Sequence, residues 1–245
     1  MIPHGNPTLY FTFPGLAGLG LPHATTTRHC PGVTSPSQPT APVGAGAAPV
    51  LAAAGLGEPS QVAYLRQVHG PEVVRARPGG GYSGDADGIV TTTRGAPLAI
   101  FSADCPAIML YDPGAPALAV AHAGWRGTAR GVTRAVVAAL VAAGARRERL
   151  HAAIAPAIGG CCYEVDAPVI EAFTRGHGAA ARRWMGPARD GHVMLDLVRA
   201  NEDILRDEGV EHVETSGLCT ACRSDLLYSY RKGHRGRLVT MAAIA

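Results

Sequence analysis

The sequence predicts an α/β protein in which short strands and helices follow one another along most of the chain. Short apolar runs separated by turn residues are typical of buried strands, and ten such runs occur. Three longer segments either repeat apolar residues with helical spacing or open with a helix-capping Asp. No linker interrupts residues 61–245, so we expect the 245 residues to form one domain.

The predicted strands share an apolar, β-branched or aromatic character and stop at turn residues. In chain order they cover residues 9–13, 23–28, 62–68, 89–92, 98–101, 107–111, 117–121, 150–158, 210–214 and 237–244. The Asp85–Gly88 stretch precedes the fourth of them and reads as a turn. Most runs are too short and too continuous in their apolar character for surface helices, so we expect strands with both faces covered.

Three helices are predicted, over residues 128–144, 166–176 and 196–208. In the first, Val132, Val136 and Leu140 recur at helical spacing, and Gly144 follows as a stop signal. The other two begin at an Asp, the residue type that caps helix N-termini. Residues 30–58 are rich in Pro, Gly, Ala and Ser and predict a flexible loop, and residues 178–191 predict an irregular segment.

Composition excludes several classes of function. The net charge is only +3, and no basic cluster or basic stripe with interleaved aromatic residues indicates nucleic-acid binding. No apolar run is long enough to cross a bilayer, and no signal-peptide pattern opens the chain, so we expect a cytoplasmic protein without membrane contact. The six Cys residues are then expected to be reduced thiols.

Three potential metal ligands each follow a predicted strand: His69, Cys105 and His122. Two imidazoles and one thiolate suit Zn²⁺, and three protein ligands with one open position are the pattern of catalytic zinc. Taken singly, a His or Cys at a strand end more often packs than binds metal. The prediction therefore depends on all three side chains meeting at one edge of the sheet.

Six motifs in a fixed order make the chain resemble a known family. They are QVHG (67–70), DADG (85–88), SADC (102–105), HAGWRG (122–127), IAPAIGGCCYEV (154–165) and SYRKGHRGR (229–237). This series is similar to that of the laccase-domain family, also described as zinc-dependent purine nucleoside phosphorylases and as peptidoglycan editing factors. The resemblance implies a layered sandwich of mixed β-sheets flanked by helices. Against this family, residues 30–58 appear shortened.

The same resemblance implies the ligands and the reaction. His69, Cys105 and His122 would bind the metal, zinc or copper, and would form the catalytic centre together with Asp104. The implied activity is phosphorolysis of adenosine, inosine and S-methyl-5′-thioadenosine, with adenosine deamination as a side activity. Zinc lowers the pKa of bound water to about 7 in favourable sites, which would supply the hydroxide for deamination. The partners are then a small-molecule nucleoside and phosphate, and the protein would be a monomer or a homodimer.

Three further residues are candidates for substrate binding. Arg126 falls just before the predicted helix at 128–144, where a helix N-terminus and a guanidinium together favour an anion such as phosphate. Arg28 matches a family position that faces the active site, where an Arg could pair with a phosphate. Family position also places Asp87 near the pocket, where it would bind substrate or orient a ligand His.

Other functions use the same residues. Cys105 beside His122 could act as the nucleophile and base of a hydrolase that edits peptidoglycan precursors. Copper-dependent polyphenol oxidation is the activity in the family name, but a multicopper site needs several His-x-His pairs and the sequence has none. A purely structural role for all three residues would leave a non-enzymatic binding protein.

The remaining Cys residues form two close pairs, Cys161–Cys162 and Cys219–Cys222. Together they could supply a four-Cys zinc site. Adjacent Cys side chains point in opposite directions in an extended chain, so we interpret these residues instead as buried thiols that line the pocket.

Overall fold

Two mixed β-sheets lie face to face in the computed structural model, which describes residues 1–33 and 43–245. The described strands are β1 Ile2–His4, β2 Tyr10–Thr12, β3 His23–Thr26, β4 Ala63–Arg66, β5 Val73–Arg75, β6 Gly81–Asp85, β7 Gly88–Thr91, β8 Leu98–Ser102, β9 Ala107–Asp112, β10 Ala117–His122, β11 His151–Ile154, β12 Glu164–Val165, β13 Val193–Met194, β14 His212–Thr215 and β15 Leu238–Ala242. One sheet has the order β1-β2-β3-β15-β8-β4-β6, the other β14-β11-β9-β10-β7-β5, and β12 pairs with β13.

Helices cover the outer faces of the two large sheets. The α-helices are α1 Pro14–Gly18, α2 Ala48–Ala53, α3 Trp125–Arg130, α4 Val132–Ala142, α5 Ala167–His177 and α6 Leu197–Asp207. Short 3-10 helices occupy Ala45–Ala47, Pro59–Gln61, Arg147–Arg149 and Gly178–Trp184. None of the helices in the described part of the chain has the length and apolar character that a membrane span requires.

The burial pattern explains the continuous apolar runs of the sequence. Along β9, Met109 packs into the core between the two sheets, whereas Ile108 and Leu110 pack outward against α4. Along β8, Ile100 faces the inter-sheet core and Phe101 packs outward into the cluster that includes α2. Both faces of the central strands are therefore buried, which confirms the predicted layered sandwich of mixed sheets.

Two of the predicted elements are wrong in their boundaries. The helix predicted at 128–144 starts earlier and is divided in two, because Gly131 adopts a left-handed conformation (φ 93°) between α3 and α4. The second half of the predicted loop at 30–58 contains α2, which buries Val50 and Leu51. A run rich in Ala favours a helix, and Pro49 is compatible with its first turn. Residues 34–42 of that predicted loop lie outside the described residues.

Strand β9 ends at a buried carboxylate that organises the turn leading to β10. The Asp112 side chain is fully buried, accepts hydrogen bonds from the N–H groups of Gly114, Ala115 and Arg146, and pairs with Arg149 at 2.9 Å. Burial alone would raise the pKa of Asp112, but hydrogen bonds from the Arg149 guanidinium and the backbone outweigh it and lower that pKa. The ionised carboxylate is therefore part of the native state.

Replacing this carboxylate should destabilise the fold in a pH-dependent way. We expect Asp112→Asn to lower the free energy of unfolding by about 2–3 kcal/mol at pH 7, because charge-assisted hydrogen bonds are lost and an amide N–H₂ faces backbone donors. The pKa of Asp112 in the native state is below the ordinary value of about 4. The contribution of its carboxylate to stability is therefore complete above about pH 4 and disappears as the pH falls through the native pKa. Urea unfolding at pH 7 and at pH 3 measures both effects.

The matched control is Asp225→Asn, which removes an exposed carboxylate that is paired with Arg223. An exposed pair contributes about 0–1 kcal/mol, so this variant should unfold like the wild type. Equal losses in the two variants at pH 7 would contradict the role assigned to Asp112.

Candidate metal centre

The three predicted ligands meet at one end of the sandwich. His69 lies in the loop after β4, Cys105 lies between β8 and β9, and His122 is the last residue of β10. Their ligand atoms all lie within 4.8 Å of one another, and the two imidazole rings stand edge to face with centroids 4.8 Å apart. The strand ends thus bring together residues that lie up to 53 positions apart in the sequence (122 minus 69).

Unusual backbone conformations occur at this site. His69 has a φ of 59° and Asp104, next to Cys105, has a φ of 88°. Such values are uncommon for residues other than Gly and are maintained only where the surroundings hold them in place. Here the Gln67 side chain bonds both the N–H and the C=O of Phe101, which ties the His69 loop to β8.

A buried carboxylate orients two of the three ligands. Asp87 is completely inaccessible to solvent. Its Oδ1 accepts a hydrogen bond from His122 Nδ1 at 2.7 Å, and its Oδ2 accepts from the N–H groups of Val68 and Gly70 at 3.0 and 2.8 Å. This arrangement places a proton of His122 on Nδ1 and leaves Nε2 as the nitrogen that a metal could bind, while it also fixes the backbone on both sides of His69.

The space at Gly124 shows how closely the three ligands converge. A Cβ atom at this position would lie 2.9 Å from Cys105 Sγ, 3.3 Å from His69 Cδ2 and 3.4 Å from His122 Cε1. Zinc–nitrogen bonds of about 2.0–2.1 Å and zinc–sulfur bonds of about 2.3 Å separate tetrahedral ligand atoms by about 3.3–3.6 Å. Convergence within 4.8 Å and this donor set therefore fit a divalent ion with one position left for another ligand.

The Cys105 thiol and the His122 imidazole also shift each other's pKa. Burial opposes ionisation of both groups, but attraction between them is stronger. It lowers the pKa of Cys105 to about 6, with His69 assisting, and it raises the pKa of His122 to about 9, with Asp87 assisting. The site thus favours a thiolate, which is the form of Cys that binds metals and acts as a nucleophile.

The three ligands line a cavity of about 630 Å³, a size that suits a small organic molecule. Its walls combine aromatic and apolar surface with cationic side chains. The aromatic residues are Phe101, Trp125, Tyr163 and Tyr230, and the cationic residues are Arg66, Arg126, Arg231 and Arg237. Among the ion pairs of the described residues, only Arg66 of these four has a carboxylate partner, Asp85. The cavity is therefore suited to an anion beside a flat ring.

Arg231 and the aromatic wall were missed by sequence reasoning. The Arg231 guanidinium lies over the Tyr163 ring at 5.2 Å and donates to the carbonyl oxygen of Glu164 at 3.1 Å. Burial raises the pKa of Tyr163. The basic motif at 229–237 was the available signal, but nothing in the sequence shows that this segment folds back over the Cys105 strand end.

Two of the predicted substrate-binding residues do not reach the cavity. Arg28 lies outside its lining, where it bonds the carbonyl oxygen of Ser224 and stacks on the Tyr228 ring at 5.3 Å. Asp87 is fully buried behind His122. Neither residue lines the cavity, and substrate binding by Arg28 and Asp87 stays a prediction, whereas the contacts of Asp87 agree with its alternative prediction, orientation of a ligand His.

Arg126 does line the cavity, but not at the start of a long helix. Helix α3 begins within the HAGWRG motif and has only six residues, and the longer α4 begins beyond Gly131. The helix N-terminus beside Arg126 is thus that of the short α3, and phosphate binding there stays a prediction. The Arg126 guanidinium stacks on the Trp125 ring at 4.3 Å and remains a side-chain source of positive charge.

Asp104, the fourth predicted catalytic residue, lies in the cavity wall with both carboxylate oxygens engaged. Oδ1 accepts from Thr220 Oγ1 at 2.5 Å and Oδ2 accepts from the Arg231 N–H at 2.7 Å. Its carbonyl oxygen accepts from the N–H of Ile158 at 2.8 Å. Asp104 thus joins three separate segments next to Cys105.

Fold and site together define a class of protein: a layered α/β sandwich with a three-residue metal-ligand constellation inside an anion-favouring cavity. The family model described as "multi-copper polyphenol oxidoreductase laccase" matches residues 40–245. The chain belongs to this family, which confirms the resemblance found in its motifs.

Similar proteins carry nucleoside-related names. A protein from Deinococcus radiodurans named purine nucleoside phosphorylase is 39% identical over 243 residues, which cover 93% of this chain and 92% of that protein. A protein from an unknown prokaryotic organism named adenosine deaminase is 34% identical over 60% of this chain and 56% of its own length. The solved structure of YlmD from Geobacillus stearothermophilus superposes with a TM-score of 0.85 at 25% identity, covering 99% of this chain and 98% of that one.

Disrupting the Asp87 hydrogen bonds should weaken metal binding. In Asp87→Asn, the amide must direct its N–H₂ either at His122 Nδ1 or at the N–H groups of Val68 and Gly70, so one ligand loses its orientation in either case. We expect zinc affinity to fall about 10- to 100-fold, measured by competition with a chromophoric chelator.

The neighbouring Asp85 provides the control for this measurement, because its carboxylate is solvent-accessible and pairs with Arg66. Asp85→Asn should bind zinc with the affinity of the wild type. A zinc affinity within twofold of the wild type in Asp87→Asn would refute the positioning role of Asp87.

Proposed function

We propose that this protein is a metal-dependent purine nucleoside phosphorylase that acts on adenosine, inosine and S-methyl-5′-thioadenosine, with adenosine deamination as a secondary activity. The observation that carries the proposal is the convergence of His69, Cys105 and His122 inside a cavity with aromatic and cationic walls. The names of similar proteins point to the same substrate class.

In this proposal the residues of the cavity have different roles. His69, Cys105 and His122 hold the metal, zinc being the ion that best suits two imidazoles and one thiolate. A divalent metal held there supplies Lewis acidity. Asp87 keeps the His122 ring and the His69 loop in place through its hydrogen bonds.

The cationic wall supplies the phosphate site. Arg126, Arg231 and Arg237 line the cavity and have no carboxylate partner among the described ion pairs, so their charges are available to an anion. The aromatic rings of Trp125 and Tyr163 lie directly beneath two of these guanidinium groups and offer surface for the purine. A nucleoside held between these walls has its ribose close to the phosphate site.

Phosphorolysis would then exchange the base for phosphate at C1′ of the ribose. An oxygen of hydrogen phosphate forms a bond to C1′ of the ribose, and the bond between C1′ and the purine nitrogen breaks. The base leaves with the electron pair and takes up the proton that the hydrogen phosphate loses. Asp104 was predicted to be catalytic, but in this proposal it has a positioning role, because its two oxygens already accept from Thr220 and the Arg231 backbone. It thereby sets the place of Arg231 at the phosphate site.

A direct test is phosphate-dependent release of base from a panel of nucleosides. The wild type should release adenine from adenosine and S-methyl-5′-thioadenosine, and hypoxanthine from inosine, only with phosphate present. Ribose 1-phosphate or 5-methylthioribose 1-phosphate should form in equal amount. We expect His69→Ala to lower kcat/KM by about 100-fold or more, because one of three metal ligands is removed. Ammonia release from adenosine measures the deamination.

His212→Ala is the matched control, since His212 stacks on His151 in strand β14 and lies outside the cavity. It should retain wild-type kcat/KM. Base release that does not require phosphate, or an unchanged rate in His69→Ala, would exclude the phosphorylase proposal.

A second candidate, the Cys/His hydrolase of peptidoglycan precursors, is favoured by one specific observation. Asp87, His122 and Cys105 form a series in which a carboxylate orients an imidazole that faces a thiol, as in nucleophilic hydrolases. A thiol hydrolase, however, would not need His69 close to the Cys105 sulfur. In addition, a thiolate that is bound to a metal is a poor nucleophile. A chelator should abolish phosphorylase activity but spare a thiol hydrolase, which iodoacetamide would inactivate.

Copper-dependent oxidation receives no comparable support from the site. Within residues 1–33 and 43–245, the potential metal-binding groups are the His69 set and one all-Cys group, without the paired His ligands of a multicopper centre. The oxidoreductase description of the family is therefore not carried over to this chain.

A further inference from the structure

A second group of potential metal ligands lies outside the catalytic cavity. It consists of Cys161, Cys162, Cys219 and Cys222, whose sulfur atoms all lie within 4.8 Å of one another. Cys161 and Cys222 are exposed and the other two are half-buried, and all four are free thiols. None of them lines the cavity that contains His69, so the prediction that they are buried thiols of the pocket wall is wrong.

The spacing of the sulfur atoms matches a tetrahedral ion. The distances between sulfurs are 3.8 Å from Cys161 to Cys162, 3.7 Å from Cys161 to Cys222 and 3.4 Å from Cys162 to Cys222. Zinc–sulfur bonds of about 2.3 Å in a tetrahedron place neighbouring sulfurs about 3.8 Å apart. A disulfide would instead bring two sulfurs to about 2.05 Å.

The local backbone explains how adjacent Cys residues can share one ion. Residues 159–163 form a turn, in which the N–H groups of Cys162 and Tyr163 both donate to the carbonyl oxygen of Gly159 at 2.9 and 3.0 Å. Opposite orientation of neighbouring side chains is a property of extended strands, not of such turns. The sequence argument against a four-Cys site assumed an extended chain and therefore does not apply.

The second pair has the C-x-x-C spacing of zinc-binding turns, with backbone donors directed at its first sulfur. The Gly159 N–H donates to Cys219 Sγ at 3.3 Å. Burial of Cys219 opposes its ionisation, but the N–H groups of Gly159, Cys222 and Ala221 lower its pKa to about 7. Backbone N–H groups that converge on sulfur stabilise the thiolate, the form that binds a metal.

We propose that Cys161, Cys162, Cys219 and Cys222 bind a second zinc ion with all four of their sulfurs. A site with four protein ligands has no open position, so this ion is structural and takes no part in catalysis. It is distinct from the ion at His69, Cys105 and His122 and does not depend on which reaction the cavity supports.

The proposed ion would join two segments that build the cavity wall. The first segment continues into Tyr163, and the carbonyl oxygen of Cys162 accepts from the Arg231 guanidinium at 3.5 Å. The second contains Thr220, which is fully buried and bonds Asp104 at 2.5 Å. The ion would thereby hold the wall that carries the proposed phosphate site, as structural zinc commonly holds loops in place.

Metal content tests the proposal independently of activity. Full-length protein without an affinity tag is reduced, loaded with zinc, freed of excess ion by gel filtration and measured by elemental analysis. The wild type should hold two zinc ions per chain. Both Cys219→Ser/Cys222→Ser and Cys161→Ser/Cys162→Ser should hold one, and so should His69→Ala/His122→Ala, which keeps only the all-Cys site.

X-ray absorption of the His69→Ala/His122→Ala protein supplies a direct readout of the ligands, and it should show four sulfurs at about 2.3 Å around zinc. Cys30→Ser is the matched control because Cys30 is a buried thiol remote from the cluster, and its variant should keep two ions. A zinc content in Cys219→Ser/Cys222→Ser equal to that of the wild type would overturn the proposal. A disulfide among the four residues in the native protein, detected as a loss of two hydrogens in intact mass, would overturn it as well.

Discussion

The buried carboxylate of Asp87 is the constraint on which the candidate metal centre depends. A fully buried charge is costly unless every oxygen has a partner, and Asp87 satisfies this need with the His122 ring on one oxygen and the N–H groups of Val68 and Gly70 on the other. The same contacts that stabilise the carboxylate therefore determine where two of the metal ligands stand. The third ligand, Cys105, is held by the strand ends of β8 and β9 and by the hydrogen bonds of Asp104.

The sandwich supplies the rigidity that this arrangement needs. Strands β8, β9 and β10 are buried on both faces, so their ends cannot move without disturbing a core on each side. Positive φ values at His69 and Asp104 are tolerated because side-chain and backbone hydrogen bonds hold the loops on either side. Local strain at the site is thus balanced by packing and hydrogen bonds in the scaffold behind it.

The sequence predicts the strands, the fold class and the convergence of His69, Cys105 and His122, because buried strands give uninterrupted apolar runs and each of these residues follows such a run. It does not predict the contacts of Arg28 and Asp87, since these contacts join residues far apart in the sequence. Arg28 contacts Ser224 and Tyr228 outside the cavity lining, and Asp87 lies behind His122. The break at Gly131, a left-handed residue inside an otherwise regular helical pattern, likewise has no signal in apolar periodicity.

Long-range folding also explains the residues that sequence reasoning missed. Arg231 reaches the cavity only because its N–H bonds Asp104, 127 positions earlier in the chain (231 minus 104). The two Cys pairs meet because the segment that follows β11 runs beside the segment at 219, with a bridge between Ala157 and Cys219. Neither juxtaposition follows from spacing within a single element: Arg231 lines the cavity, whereas the four Cys residues lie outside it.

The central claim is that His69, Cys105 and His122 share one divalent ion, and anomalous diffraction from crystals of the zinc-loaded protein tests it most directly. We expect a peak about 2.0–2.1 Å from the Nε2 atom of His122 and from an imidazole nitrogen of His69, and about 2.3 Å from Cys105 Sγ, with one coordination position open to the cavity. A zinc-loaded crystal with no anomalous peak between these three side chains would exclude a shared ion.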